Sequence, residues 1–487
     1  MLDAFFPKHL DKTYTAFFYL LAIVFFMAEV GYVLENRLLF LSIPFVVLVI
    51  GVFILDIKVV YYLLWATIPI SIQYSFQNGL STDLPTEPLI ALLMFGLITM
   101  GIKHFRSVRA DYLLHPISIF LILHFLWIGL TALVAENFVI AIKFLLAKTW
   151  YIVTFYMGSL YLLRSLKDYK RLVITILVPL TFIVSVILVK HAIMGFTFMS
   201  ANYVINPFFR NHVDYASLLV VFIPFVWYYY KLPQTTNFYI KAALVYSFLI
   251  LIAGIFFSYT RAAFVSLGLI VAAYYLIKYR WMKYALVLTL ILSTLWISSL
   301  IKNNRYLKYA PNFEQTVAHK DFESLLSATY KLRDISTMER VYRWVAGFRM
   351  IRDHPWMGFG PNGFYPNYRP YTIRAFETYV SDNPEKSGIH NYYLMTTVEQ
   401  GIPGLIIFLV MSLFALIYGE RLYHSIREYG YKLLVMAALM SHVAILSILL
   451  INDMIETVKV GPVFFLNLAI IVGVDIRFRN TKPSRVS

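Results

Sequence analysis

Arg261 in FFSYTRAAFVSL and His390 in SGIHNYYLMTTVEQGIPGLI each open a long apolar stretch, and Arg340 lies in an amphipathic segment between them. Guanidinium groups recognise phosphate through bidentate, charge-assisted hydrogen bonds. An unperturbed imidazole titrates near 6.5 and can accept a proton or hold an oxyanion. Together these types suit recognition of an anionic headgroup, and a lipid diphosphate that carries a sugar would fit. Other chemistries find less support. The chain has no cysteine, which removes disulfides, thiolate metal sites and thiol nucleophiles. No Asp-x-Asp pair or His-x-x-x-His spacing marks its outer loops, so no metal site is expected. No Walker-type loop is present.

Each of these residues also has a plainer reading. Arg261 is either an arginine reaching lipid headgroups or a charge facing a cavity. A charge inside a span costs roughly 2.5–3.5 kcal/mol on insertion scales, which favours a functional position. His390 is either bonded to backbone at a helix start or a proton acceptor or phosphate ligand. Arg210, in NPFFRNHVDY, lies at similar depth and is open to the same two readings as Arg261. Glu399 and Gln400 interrupt the apolar stretch after His390, and polar residues there imply an interior face. Lys143 and Lys148 are five apart, share no helix face well and stay unassigned.

The elements that position these groups are membrane spans. The chain of 487 residues is 60% hydrophobic and only 14% charged. About fourteen apolar blocks approach the length needed to cross a bilayer. They lie near 14–33, 38–55, 59–76, 88–102, 115–134, 138–163, 172–195, 214–230, 240–257, 261–277, 284–301, 390–418, 433–450 and 460–475. Two divisions, at Asp56-Ile57-Lys58 and at Ser258–Arg261, rest on a few residues, so 12 to 14 spans fit. The expectation is an all-α polytopic membrane protein with a bundle over 1–301 and a large outer segment over 302–389. Further spans and a tail occupy 390–487. The first span lacks a small-residue cleavage site and reads as an uncleaved helix.

The formal charge of +16 is explained by topology. With the N-terminus in the cytoplasm, one face collects Lys103, Arg106 and Arg109; Arg164, Lys167, Lys170 and Arg171; and Lys231 and Lys241. It also collects Lys278, Arg280 and Lys283; Arg421, Arg427 and Lys432; and Arg477, Arg479, Lys482 and Arg485. This satisfies the positive-inside rule and calls for membrane lipid, not nucleic acid, as partner. In the outer segment, Ser336 and Glu339 form a capping box. Val341, Trp344, Val345, Phe348 and Ile351 make one apolar face, and Pro355 ends the helix. An amphipathic helix near 337–353 is expected at the membrane surface, with Arg340, Arg343, Arg349 and Arg352 at headgroup level. The following WMGFGPNGFYPNYRPY is turn-rich, and clustered amide N–H groups suit oxyanions; a plain connector is the other reading.

SYTRAAF, ERVYRW, DHPWMGFGPNGF and HNYYLMTTVEQGIPGL together resemble the O-antigen ligase and polymerase family of bacterial envelope enzymes. The resemblance covers roughly the second half of the chain. It implies a helical bundle of the lipid-sugar (GT-C-like) glycosyltransferase type in the inner membrane, with cytoplasmic termini and a periplasmic site. It implies transfer from an undecaprenyl-diphosphate-linked glycan to lipid A–core, or to another glycan or protein acceptor, with no cofactor. The catalytic positions would be Arg261, Arg340 and His390; Arg210, Arg343, Arg349, Asn391, Trp344 and Glu399 would contact substrate. Polymerases of this kind are described with Arg-x(10)-Gly in two outer loops. Here Arg349–Gly360 and Arg352–Gly363 fall in one loop, so ligase is preferred. A transporter of lipid-linked sugars is the alternative outside enzymes, and it would need paired charges deep in the bundle.

Overall fold

The computed structural model describes residues 12–35, 39–75, 81–103, 110–302, 335–373, 381 and 388–479. Arg106, Arg109, Lys482, Arg485 and most of the outer segment between 303 and 387 lie outside them. The protein is an all-α polytopic membrane protein. Among the described residues nine helices are long and apolar enough to cross a membrane, and further apolar helices of 10–17 residues accompany them. Every apolar block read from the sequence contains such a helix.

The chain divides into two compact units, Met1–Ala66 and Thr67–Ser487. In the first, α1 (Lys12–Glu35) packs on α2 (Leu39–Leu55), and Asp56 separates α2 from α3 (Ile57–Ile70), which runs across the division. In the second, a two-stranded antiparallel hairpin, β1 (Ile72–Ser75) and β2 (Ser81–Leu84), precedes α4 (Thr86–Lys103). Then follow α5 (Pro116–Ala132), α6 (Phe138–Leu162), α7 (Leu166–Ile193), α8 (His212–Lys231), α9 (Phe238–Phe257), α10 (Arg261–Lys278) and α11 (Met282–Ile301). The outer segment contributes α12 (Ile335–Asp353), and α13 (Tyr392–Ser425), α14 (Tyr429–Ile448) and α15 (Gly461–Arg479) complete the bundle.

α8, α14 and α15 are buried on nearly all sides. Their sequences are apolar around the whole circumference, as a central helix requires. α8 packs on α14, and α14 on α10 and α15; α13 packs on α5 and α14. Helix ends assigned to one face from the sequence do meet: Arg477 Nη1 donates to the Arg164 carbonyl at 2.7 Å. Beside them Arg479 pairs with Asp475 at 2.7 Å.

α13 is interrupted. Pro403 has no N–H, and its ring conflicts with the carbonyl of Glu399 in a continuous helix. The chain breaks at Gly401, whose φ is 70°. The turn-rich loop after α12 fills the gap. Ile402 N–H donates to the Pro355 carbonyl at 2.8 Å, and Phe359 N–H donates to the Val398 carbonyl at 2.9 Å. A Cβ on Gly401 would fall on the Trp356 carbonyl. Gly401→Ala is therefore expected to destabilise by on the order of 1–3 kcal/mol. The check is limited proteolysis, with faster cleavage at 356–363 than in wild-type protein.

Candidate active site

α12 begins at Ile335, one residue before the predicted cap Ser336. Its buried side contains most of the face read from the sequence: Val345 is buried, and Val341, Trp344 and Ile351 pack against the same core. Tyr342, Val345, Ala346 and Met350 are buried against Phe364, Tyr368, Ile389, Leu394 and Val398. Phe348, expected on the apolar face, is exposed. The helix therefore turns its apolar side onto the turn-rich loop and the start of α13. Arg343, predicted at headgroup level, lies in the interior on that side.

There the ERVYRW stretch clamps the chain ahead of α13. Arg343 Nη1 donates to the Gly388 carbonyl at 3.0 Å, and Trp344 Nε1 donates to the Ile389 carbonyl at 3.0 Å. Arg343 Nη2 also reaches Glu339 Oε2 at 3.5 Å, while Glu339 Oε1 accepts from Ser381 Oγ at 2.8 Å. The next residue, His390, adopts φ 55°. Positive φ is uncommon outside glycine, and holding it needs surrounding structure that over-determines the backbone. Asn391 supplies the other side: its Oδ1 caps α13 by accepting from Leu394 N–H at 2.9 Å, and its Nδ2 donates to the Leu450 carbonyl at 2.9 Å.

Burial first, and then the guanidinium groups of Arg340 and Arg343, push the His390 imidazole down to about 3. His390 is therefore neutral across the physiological range. The charge of Arg340 also bears on His212 and on Asp453, and that of Arg261 on His212. Arg261, Arg340 and His390 thus belong to one electrostatic cluster. Burial raises the Asp453 carboxyl, and Arg343 and Arg340 draw it back. Gly388 leaves room for it, because a Cβ at that position would strike Asp453 Oδ2.

The remaining predicted residues lie around this cluster. Arg210 is half exposed and pairs with Asp83 at 3.4 Å. Arg349 donates to the carbonyls of Tyr371 and Thr372 at 3.1 and 3.3 Å on the exposed side of α12. Glu399 is buried beneath the turn-rich loop, where it accepts the backbone N–H groups of Asn362 and Phe364. The oxyanion those loop amides hold is thus the chain's own carboxylate. Glu399 docks the loop to α13.

Sequence reasoning missed His212 and the whole α14–α15 connection. That connection brings three charges. Glu456 Oε1 pairs with Lys148 at 2.6 Å, and both bond the Tyr392 hydroxyl, at 3.1 and 3.3 Å. Lys459 Nζ donates to the Ile68 and Ser71 carbonyls at 2.7 and 3.0 Å and to Ser71 Oγ at 2.8 Å. Lys148, unassigned from the sequence, is therefore the partner of an anchoring carboxylate, while Lys143 is exposed. The available signal was a short linker, NDMIETVK, carrying three charges between two apolar helices.

Residues 246–409 match the family model described as O-antigen ligase. Over that segment the chain is similar to the O-antigen ligase family. The match contains Arg261, Arg340, Arg343, Trp344, Arg349, His390, Asn391 and Glu399; Arg210 precedes it. The O-antigen ligase family is a group of glycosyltransferase-like ligases within a ligase and polymerase superfamily. No curated protein matches the chain.

Two measurements check the clamp. Trp344→Phe leaves the Ile389 carbonyl without its indole donor, an expected loss of about 1–3 kcal/mol, seen as a lower Tm in detergent. Arg349→Ala, whose bonds are exposed, is expected to stay within about 0.5 kcal/mol of wild type. Acid sensitivity checks the burial of His390. Its folded value lies below the unfolded value near 6.5, so the unfolded chain binds the extra proton between the two. The stability from this group is full above about 6.5 and falls as pH drops toward 3. His390→Gln is expected to shallow the decline in Tm between pH 7 and 4.

Proposed function

We propose that this protein is a metal-independent inverting glycosyltransferase that moves a glycan from undecaprenyl diphosphate to an acceptor hydroxyl. Its site faces the periplasm, and both termini face the cytoplasm of a bacterial inner membrane. The preferred acceptor is lipid A–core, which makes the enzyme an O-antigen ligase. The observation that carries the reading is the electrostatic grouping of Arg261, Arg340 and His390, all within the matched family segment.

In the proposed reaction the acceptor oxygen attacks the anomeric carbon from the face opposite the diphosphate. The carbon–oxygen bond to the diphosphate breaks, and its electron pair leaves with the phosphate oxygen. Arg261 and Arg340 bind the diphosphate and stabilise the charge that develops there. Such preorganised electrostatic stabilisation commonly supplies the largest share of a rate enhancement. His390, neutral at working pH, acts as a base on the acceptor hydroxyl or as an uncharged hydrogen-bonding partner of the phosphate. Arg343 and Trp344 serve it by fixing the backbone that carries it. Arg210, half exposed and paired with Asp83, is a further proposed contact for an anionic headgroup.

Surface glycolipid resolved on a gel tests this assignment. Cells lacking the gene are expected to lose the long-chain ladder while polymer persists on the lipid carrier, and His390→Ala and Arg340→Ala should reproduce the loss. Loss of a positioned base should cost about 10²–10⁴-fold in transfer by purified protein. Wild-type transfer by both variants would remove His390 and Arg340 from the mechanism. A single repeat left on lipid A–core would instead identify a polymerase, the reading that Arg349–Gly360 and Arg352–Gly363 favour.

A further inference from the structure

The cluster contains a second imidazole. His212 opens α8, and the positive charges of Arg340 and Arg261 both bear on it. Its ring is held in a defined state by Asn202. One side-chain oxygen, Asn202 Oδ1, accepts the His212 backbone N–H at 3.0 Å and lies 2.7 Å from His212 Nδ1. Because a backbone N–H can only donate, the atom it meets is the amide oxygen, and the oxygen in turn requires hydrogen on Nδ1. In the neutral ring Nε2 is then the acceptor. A hydrogen bond at one ring nitrogen that sets the other as base is the usual way a histidine is readied for proton transfer.

The backbone of His212 is tied independently of the ring. Its carbonyl accepts from Thr260 Oγ1 at 3.2 Å, which couples the start of α8 to the turn that presents Arg261. The bond to that turn therefore uses the His212 backbone and leaves the imidazole bonded through Nδ1 to Asn202. His390 differs: its backbone is clamped by α12, and the guanidinium groups acting on it are those of Arg340 and Arg343.

We infer that His212 is the residue that takes the proton of the acceptor hydroxyl, at Nε2, as that oxygen bonds to the anomeric carbon. The O–H bond breaks, its electron pair forms the new glycosidic bond, and the displaced pair leaves with the diphosphate oxygen. The proton passes from Nε2 to the released diphosphate or to water. Asn202 is the positioning residue for this step. The inference rests on the glycosyl-transfer reading and divides its labour: His212 serves the acceptor, and His390 serves the diphosphate.

The test is single-turnover transfer by purified full-length protein in detergent, using an undecaprenyl-diphosphate-linked glycan and a lipid A–core acceptor. His212→Asn keeps a donor near the Nδ1 position for Asn202 but has no Nε2. It is expected to lose about 10²–10⁴-fold in transfer rate. Donor binding and Tm should remain within about twofold and a few degrees of wild type, and added imidazole should partly restore His212→Ala. His390→Ala should instead weaken donor binding. A His212→Asn protein that transfers within about threefold of wild type would overturn the inference, as would a loss that follows donor binding and resists imidazole. Wild-type protein that performs no transfer would overturn the glycosyltransferase reading itself, and this assignment with it.

Discussion

Two hydrogen bonds, from Arg343 and Trp344 to the successive carbonyls of Gly388 and Ile389, hold the arrangement on which the rest of the site depends. They come from adjacent residues of one helix turn, so the two carbonyls cannot shift separately. Just beyond them the backbone turns into a positive φ at His390 and then enters α13 under the cap of Asn391. A strained residue between two fixed points has little freedom, and an imidazole so held keeps its place near Arg340. The amphipathic helix is thus a bracket for the site. Its apolar side packs on protein because that packing is what brings Arg343 and Trp344 to the carbonyls.

A second constraint follows from collecting charges at partly desolvated helix ends. A buried charge is costly unless paired and hydrogen-bonded. The α14–α15 connection meets this with Asp453 beside Arg340 and Arg343, Glu456 against Lys148, and Lys459 against the backbone near β1. Burial pulls Lys459 down to about 7, and three acceptors, the Ile68 and Ser71 carbonyls and Ser71 Oγ, hold its amino group. The same linker hydrogen-bonds the start of α13 through Tyr392 and Leu449. One short connection therefore anchors both α13 and the surrounding helices.

The turn-rich loop shows the same economy of polar groups. Its amides seemed suited to an external oxyanion, yet two are taken by Glu399 and others repair the helix broken at Gly401. Loop and helix thus complete one another.

The sequence by itself determined the helical, membrane-spanning class and roughly where each helix lies, although the block read over 59–76 ends in the strand Ile72–Ser75. A bilayer leaves a backbone few ways to satisfy its hydrogen bonds, and apolar length records the result directly. It also singled out Arg261 and His390 as candidates, because costly residue types at the mouths of apolar stretches stand out locally. Only the tertiary structure decided that Tyr342 and Arg343 join the buried side of α12 and that Phe348 leaves it, since the neighbouring segments select among overlapping helical stripes. Likewise it alone assigned Glu399 to a loop, Lys148 to Glu456 and His212 to Asn202. Periodicity constrains contacts within an element. Pairings between elements depend on how whole helices pack, and their partners leave no local spacing to read.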